Sequence, residues 1–190
     1  MGREPIVHWL IGALLLAMFP IAVLAEPISA DRPGPGCDPA TLSQGRFQAE
    51  LGNDSMEARL GLAHGLELDR DDTHWSLKAA VIDHDPIKAS VKLSYDGEVP
   101  SLEIPASYHV APWLTLGLDA LWDRSGDSYA AEFALSPTQH LTITPTLYHD
   151  GKLRGAVFAA WIPPGHDRVQ FDVGLDKGKV SAGVSVALEK

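Results

Sequence analysis

Three imidazole–carboxylate neighbours lie in polar breaks of the chain: Asp83-His84-Asp85, His149-Asp150 and His166-Asp167. Such groups can hold a divalent transition metal or titrate between about pH 5 and 8. None has a compact ligand spacing such as His-x-His. They therefore read as solvated turn residues, and no metal site is assigned. His74 and Ser76 share one face of an alternating stretch, but barrel enzymes need a nucleophile beside a base that a third group orients, and Ser–His neighbours of this kind are common by chance. Gly-x-Ser-x-Gly, His-Glu-x-x-His and phosphate-cradling glycine loops do not occur. The residues offer neither enzyme chemistry nor a cofactor site.

A second set of charges is placed differently. Lys78, Lys92, Asp119, Glu132, Arg154 and Asp172 fall inside stretches where every second residue is apolar, and on the opposite face from those apolar residues. Lys88 and Asp176 share that face. Opposed charges on the inner wall of a narrow tube pair and fill the bore, whereas in a wider tube they set ion preference. For a tube of about ten to twelve strands the filled bore is the favoured reading.

The elements that would position these charges are strands. Leu114, Leu116, Leu118, Ala120 and Trp122 alternate with Trp113, Thr115, Gly117, Asp119 and Leu121. Val180, Ala182, Val184, Val186 and Leu188 alternate with Ser181, Gly183, Ser185 and Ala187. A period of two marks a β-strand with unlike faces. Short turn signals separate the strands: Arg70-Asp71-Asp72, Asp83 to Pro86, Asp96-Gly97, Arg124-Ser125-Gly126, Ser136-Pro137-Thr138, Asp150-Gly151 and Asp176 to Lys179. Pro105, within a strand, predicts a bulge or an edge. About eleven strands result, with 46–53 a weak one and 57–69 a single strand interrupted by His64. A closed single-chain barrel takes an even number, so either 46–53 stands outside or the division of 46–69 is wrong. The expected fold is an all-β, antiparallel, up-and-down barrel of about 10–12 strands.

The ends set the context. Residues 1–25, with Arg3, an apolar run from Leu10 to Leu24 and a small residue at Ala25, have the layout of a cleaved secretory signal. Residues 26–45 are rich in Pro, Gly, Ser and Asp and predict a flexible arm; 46–190 form the barrel domain. The lone Cys37 cannot make an internal disulfide and reads as an incidental thiol of that arm. A net charge of −10 with no basic stripe argues against nucleic acid as a partner. No later run is apolar enough for a membrane-spanning helix, which leaves a membrane barrel open.

Whether the apolar face meets lipid or a core decides the function. Strands of about ten residues at ~3.3 Å each, tilted by about 45°, reach most of the way across a ~25 Å apolar band. Trp75, Tyr95, Trp122, Tyr129 and Trp161 stand near strand ends on the apolar face, where interfacial girdles place such rings. The other face carries Thr142, Thr144 and Thr146; Ser181, Gly183 and Ser185; and Ala130, Ala134, Ala156 and Ala160. Small, weakly polar residues suit a crowded bore better than open water.

From about residue 57 to 190 this pattern resembles bacterial outer-membrane β-barrel proteins of the porin-like kind. The resemblance implies a Gram-negative outer-membrane location, lipid as surroundings and passage of small solutes, with no functional residue carried over. The alternative is a soluble periplasmic barrel whose inward Leu116, Leu118, Phe133, Val157 and Phe171 hold a lipid-like ligand. It rests on the absence of long loops and on an ending, Leu188-Glu189-Lys190, without a terminal aromatic. An accessory subunit of an envelope complex is a third reading. The sequence leaves the oligomeric state open.

Overall fold

A computed structural model describes residues 38–188 apart from Asp54. The expected signal segment 1–25, residues 26–37 of the expected arm with Cys37, and the last two residues lie outside the described residues. The strands are β1 (Phe47–Gly52), β2 (Met56–Ala63), β3 (Leu66–Asp71), β4 (Trp75–His84), β5 (Ile87–Tyr95) and β6 (Pro100–Ala111), then β7 (Leu114–Asp123), β8 (Gly126–Thr138), β9 (Leu141–His149), β10 (Leu153–Trp161), β11 (Val169–Asp176) and β12 (Lys179–Leu188). Each pairs antiparallel with its sequence neighbours, and β1 closes on β12 with Phe47 opposite Leu188 and Gly52 opposite Gly183. Closure matters energetically because it leaves no unpaired strand edge.

Twelve strands arise because 57–69 is two strands, not one. His64-Gly65 is the turn between them rather than an interruption, with Gly65 at φ 71° where a side chain would be strained. Leu60 thereby comes to face Leu68 across the hairpin, and the leucines read as one strand's face belong to two paired strands. Segment 46–53 is not outside: β1 lies between β2 and β12. Pro105 makes neither a bulge nor an edge towards β5. Pairing keeps one register on both sides of it, Ala89 to Ala106 and Lys92 to Glu103, while the ladder omits the proline that cannot donate.

Turns after the odd strands form one rim, here called upper; turns after the even strands, with the start of β1 and the end of β12, form the lower rim. Along the strands the burial alternates. In β9 Thr144, Thr146 and Tyr148 are buried while Leu147 is exposed; in β11 Gln170 and Asp172 are buried while Phe171, Val173 and Leu175 are exposed. The same inversion runs around the tube. Arg59, Glu67, Lys78 and Ser90 are fully buried, whereas Leu118 is 65 % and Val157 46 % exposed. The inward cavity required of Leu118, Phe133, Val157 and Phe171 by the lipid-carrier alternative is therefore absent. These side chains, and Leu116 on the same face of β7, point away from the axis.

Residues 38–45 depart from the expected free arm. They turn at Gln44-Gly45 and fold back inside the tube, with Leu42 buried and its N–H donating to Glu67 Oε2 at 2.5 Å. A buried backbone needs such partners, and the inner wall supplies them.

Candidate functional site: the barrel interior

The inner surface divides into two walls of different character. Strands β1 to β5 carry an ion network centred on Glu67. Arg59 grips that carboxylate with Nε and Nη2, 3.0 and 2.9 Å from Oε1, and Nη2 also reaches Oε2 at 3.2 Å. Lys78 Nζ stands 2.9 Å from the same Oε1, and Glu50 lies 3.7 Å from Arg59 Nη1. Arg59, Glu67 and Lys78 are wholly buried, so two cations compensate one carboxylate in a region where an unpaired charge would be costly. The guanidinium's planar fork is what makes the bidentate grip available. One layer towards the upper rim, Lys92 Nζ lies 3.3 Å from Asp69 Oδ2, and Ser76 Oγ donates to Ser94 Oγ at 2.8 Å.

The facing wall, β7 to β12, is less charged. Asp172 accepts from Gln170 Nε2 at 2.7 Å and from Ser185 Oγ at 3.5 Å. Tyr148 and Phe158 pack with Ala130 and Ala156 as a small buried apolar cluster. Phe158 fits because Gly174 opposite it has no side chain: a Cβ there would sit 2.5 Å from the ring. Tyr148 donates its hydroxyl to Asp176 Oδ1 at 2.5 Å, and Lys177 Nζ hangs 5.6 Å from the centre of its ring. These groups bound an upper vestibule of about 650 Å³, whose lining includes Asp119, Ser128, Asp150 and Lys179. A second recess of about 430 Å³ opens at the same rim beside Lys92, Asp96 and Glu103.

The six charges read from the sequence do not form one constellation. Lys78 and Lys92 belong to the first wall, in contact with Glu67 and Asp69. Asp119 and Glu132 are buried on the adjacent strands β7 and β8, and Asp172 is buried on β11. Arg154 stands at the upper rim, half-exposed, with Nε 2.9 Å from Asp150 Oδ1. That contact and one from Lys177, in this order of weight, hold the Asp150 carboxyl below the usual carboxylate range. The centre of the network, Arg59 with Glu67 and Asp69, escaped sequence reasoning. Its signal was present, since these residues alternate with Leu60, Leu66 and Leu68, but dividing 57–69 as one strand hid the pairing.

The aromatic residues take definite levels. Trp75 and Tyr95 pair across β4 and β5 at the upper rim. Trp122 and Tyr129 meet edge-on there, ring centres 6.4 Å apart, either side of the β7–β8 turn. Trp161 lies at the lower rim, stacked on Phe171 at 5.9 Å. Histidines 64, 84, 109, 140 and 166 all fall at the lower rim because strands alternate direction. His109 Nδ1 is 3.7 Å from Asp85 Oδ1, and no group of three metal-ligating side chains gathers among the described residues.

No protein-family model and no curated protein matches this sequence. Solved structures do match in fold. The KdgM porin, in complex with disordered oligogalacturonate, aligns with a TM-score of 0.51 at 12 % identity, over 76 % of this chain and 98 % of that one. A mutant of the Rh. blastica porin aligns with a TM-score of 0.46 at 12 % identity, over 70 % of this chain and 55 % of that one. This chain thus spans about half the length of that porin. What it shares with its structural neighbours is the architecture: a closed, all-antiparallel, up-and-down barrel like those of porins.

Proposed function

We propose that this protein is a small outer-membrane barrel of a Gram-negative envelope, delivered there by a cleaved signal at 1–25. It would be porin-like, admitting small solutes to a polar interior. The observation that carries the reading is the inversion of burial. Among the described residues twenty-four large apolar or aromatic side chains are exposed, while Arg59, Glu67 and Lys78 are wholly buried inside. At roughly 80 Å² apiece those apolar side chains present on the order of 2,000 Å². The largest apolar patch on a typical soluble monomer is only about 300–600 Å². In water such a band drives aggregation; against lipid tails it is the matching surface, and the rings of Trp75, Tyr95, Trp122, Tyr129 and Trp161 would stand at its borders.

The solute class follows from the interior charge. Among the described residues the buried ionisable side chains are five acids (Glu67, Asp69, Asp119, Glu132, Asp172) against three bases (Arg46, Arg59, Lys78), with Glu50 and Lys92 adding one of each sign to the same wall. An acidic oligosaccharide, the ligand of the KdgM porin structure, suits such a wall poorly. Neutral or cationic solutes suit it better. Purification tests the reading: the folded protein should require detergent, migrate differently on a denaturing gel before and after heating, and conduct in a planar bilayer with a cation-favouring reversal potential. Recovery as a soluble monomer without detergent overturns it.

A further inference from the structure

The chain segment just before β1 occupies the bore. Lys78 donates from Nζ to the Asp38 carbonyl at 3.3 Å, and the Leu42 N–H donates to Glu67. The segment then crosses the inner face of Gly61. A Cβ at that glycine would meet the Ser43 carbonyl oxygen at 2.0 Å and the Leu42 carbonyl oxygen at 2.7 Å, so the backbone seats only because the wall is bare there. Its exit is pinned: Gly45 N–H donates to the Gly61 carbonyl at 2.8 Å, and Gly61 N–H to the Arg46 carbonyl at 3.0 Å. At the other end Asp38, Pro39 and Ala40 face Ser107, Thr115, Asp119 and Glu132 across a gap of about 220 Å³. Gly61 lies on β2 and Asp119 and Glu132 on β7 and β8, so the segment reaches from one wall towards the other.

We propose that residues 38–43 are a tethered plug, that the Arg59–Glu67–Lys78 cluster is its seat, and that withdrawing it widens the passage. Where the segment faces β7 and β8 a gap of about 220 Å³ remains beside it. The seat explains why three ionisable side chains are buried together where apolar packing would serve stability as well. Glu67 presents a lone pair to the segment's N–H after its two cations are satisfied, and Lys78 bridges carboxylate and segment carbonyl. The contacts at Lys78 and Glu67 are polar contacts to backbone rather than rungs of a strand ladder, so breaking them leaves the barrel wall paired.

The proposal rests on the channel reading, and the test separates the two. Single-channel conductance is measured in planar bilayers for the full chain, for a deletion of 38–43, and for Gly61→Ala, which unseats the segment sterically while leaving every charge in place. Heat-modifiable migration establishes that each barrel is folded. The expected result is a conductance at least twofold higher in both variants than in the parent. Equal conductance in folded barrels overturns the plug while leaving the channel intact; silence in all three overturns the channel reading and this inference with it. Seating has its own readout. In a Cys37→Ser background, Leu42→Cys should react with a water-soluble maleimide at least tenfold more slowly than Ser125→Cys, and adding Gly61→Ala should abolish most of that difference. Equal rates at the two cysteines without Gly61→Ala overturn the seat.

Discussion

Leu118→Arg measures directly what lies outside the barrel. Leu118 is at the middle of β7, faces outward opposite Ala106 and Ala131, and is 65 % exposed. If hydrocarbon surrounds it, an arginine there costs about 2–4 kcal/mol, the penalty for a cation near the bilayer midplane of a membrane barrel. That is roughly a 30- to 1,000-fold change in the folding equilibrium. If water surrounds it, the change is a surface substitution worth within about 0.5 kcal/mol. Leu153→Arg is the matched control. Leu153 is 75 % exposed but opens β10 at the upper rim, where the lipid penalty falls to about 0–1 kcal/mol. Reversible unfolding in denaturant from lipid vesicles, followed by tryptophan fluorescence, gives both values. A large cost at 118 with a small one at 153 is the expected pattern. Near-zero costs at both positions, or equal costs, would refute a lipid-facing band.

Further outcomes follow from the interior and the turns. Lys78→Met removes one cation from Glu67, which keeps Arg59 and the Leu42 N–H, and should cost about 1–3 kcal/mol, read as a lower temperature for loss of the heat-modifiable form. Gly174→Ala drives a methyl into the Phe158 ring and should cost about 1–3 kcal/mol, while Gly155→Ala on the outer face, with no atom nearer than Leu147 Cδ2 at 3.8 Å, should be nearly silent; denaturant midpoints compare the two. In the β5–β6 turn the Asp96 carboxylate accepts the N–H groups of Val99 and Glu98, both at 2.8 Å, and these bonds, Val99's first, lower its pKa. A lowered carboxyl pKa stabilises the turn above the ordinary value and is lost as pH falls through the depressed one. Amide exchange at Glu98 and Val99 should therefore stay protected through the usual carboxylate range and quicken only below it.

The face assignment was legible because it is local. Thr142, Thr144 and Thr146 against Ile143 and Leu147 state their own alternation, and no partner strand is needed to read it. The turns at Asp96-Gly97 and Asp150-Gly151 were equally plain. His64-Gly65 was not, since histidine is not a turn-former by type and the leucines either side of it keep the parity of a single strand. That one misreading hid half of the Glu67 network. The placement of 38–43 had no signal at all: a short, mostly small and polar segment has the same composition whether it hangs in water or lies along an inner wall.

Side-chain direction in a strand depends only on position parity, so residue order alone dictates two-faced strands joined by tight turns, with small polar residues and charges on one face and apolar residues on the other. Tertiary closure decided the rest. Joining β1 to β12 is what makes one face an interior, and only then do Arg59, Glu67 and Lys78 become buried partners and Leu42 find a carboxylate 25 residues away along the chain. Those contacts depend on strand pairing order and tube curvature, long-range quantities that no local pattern encodes.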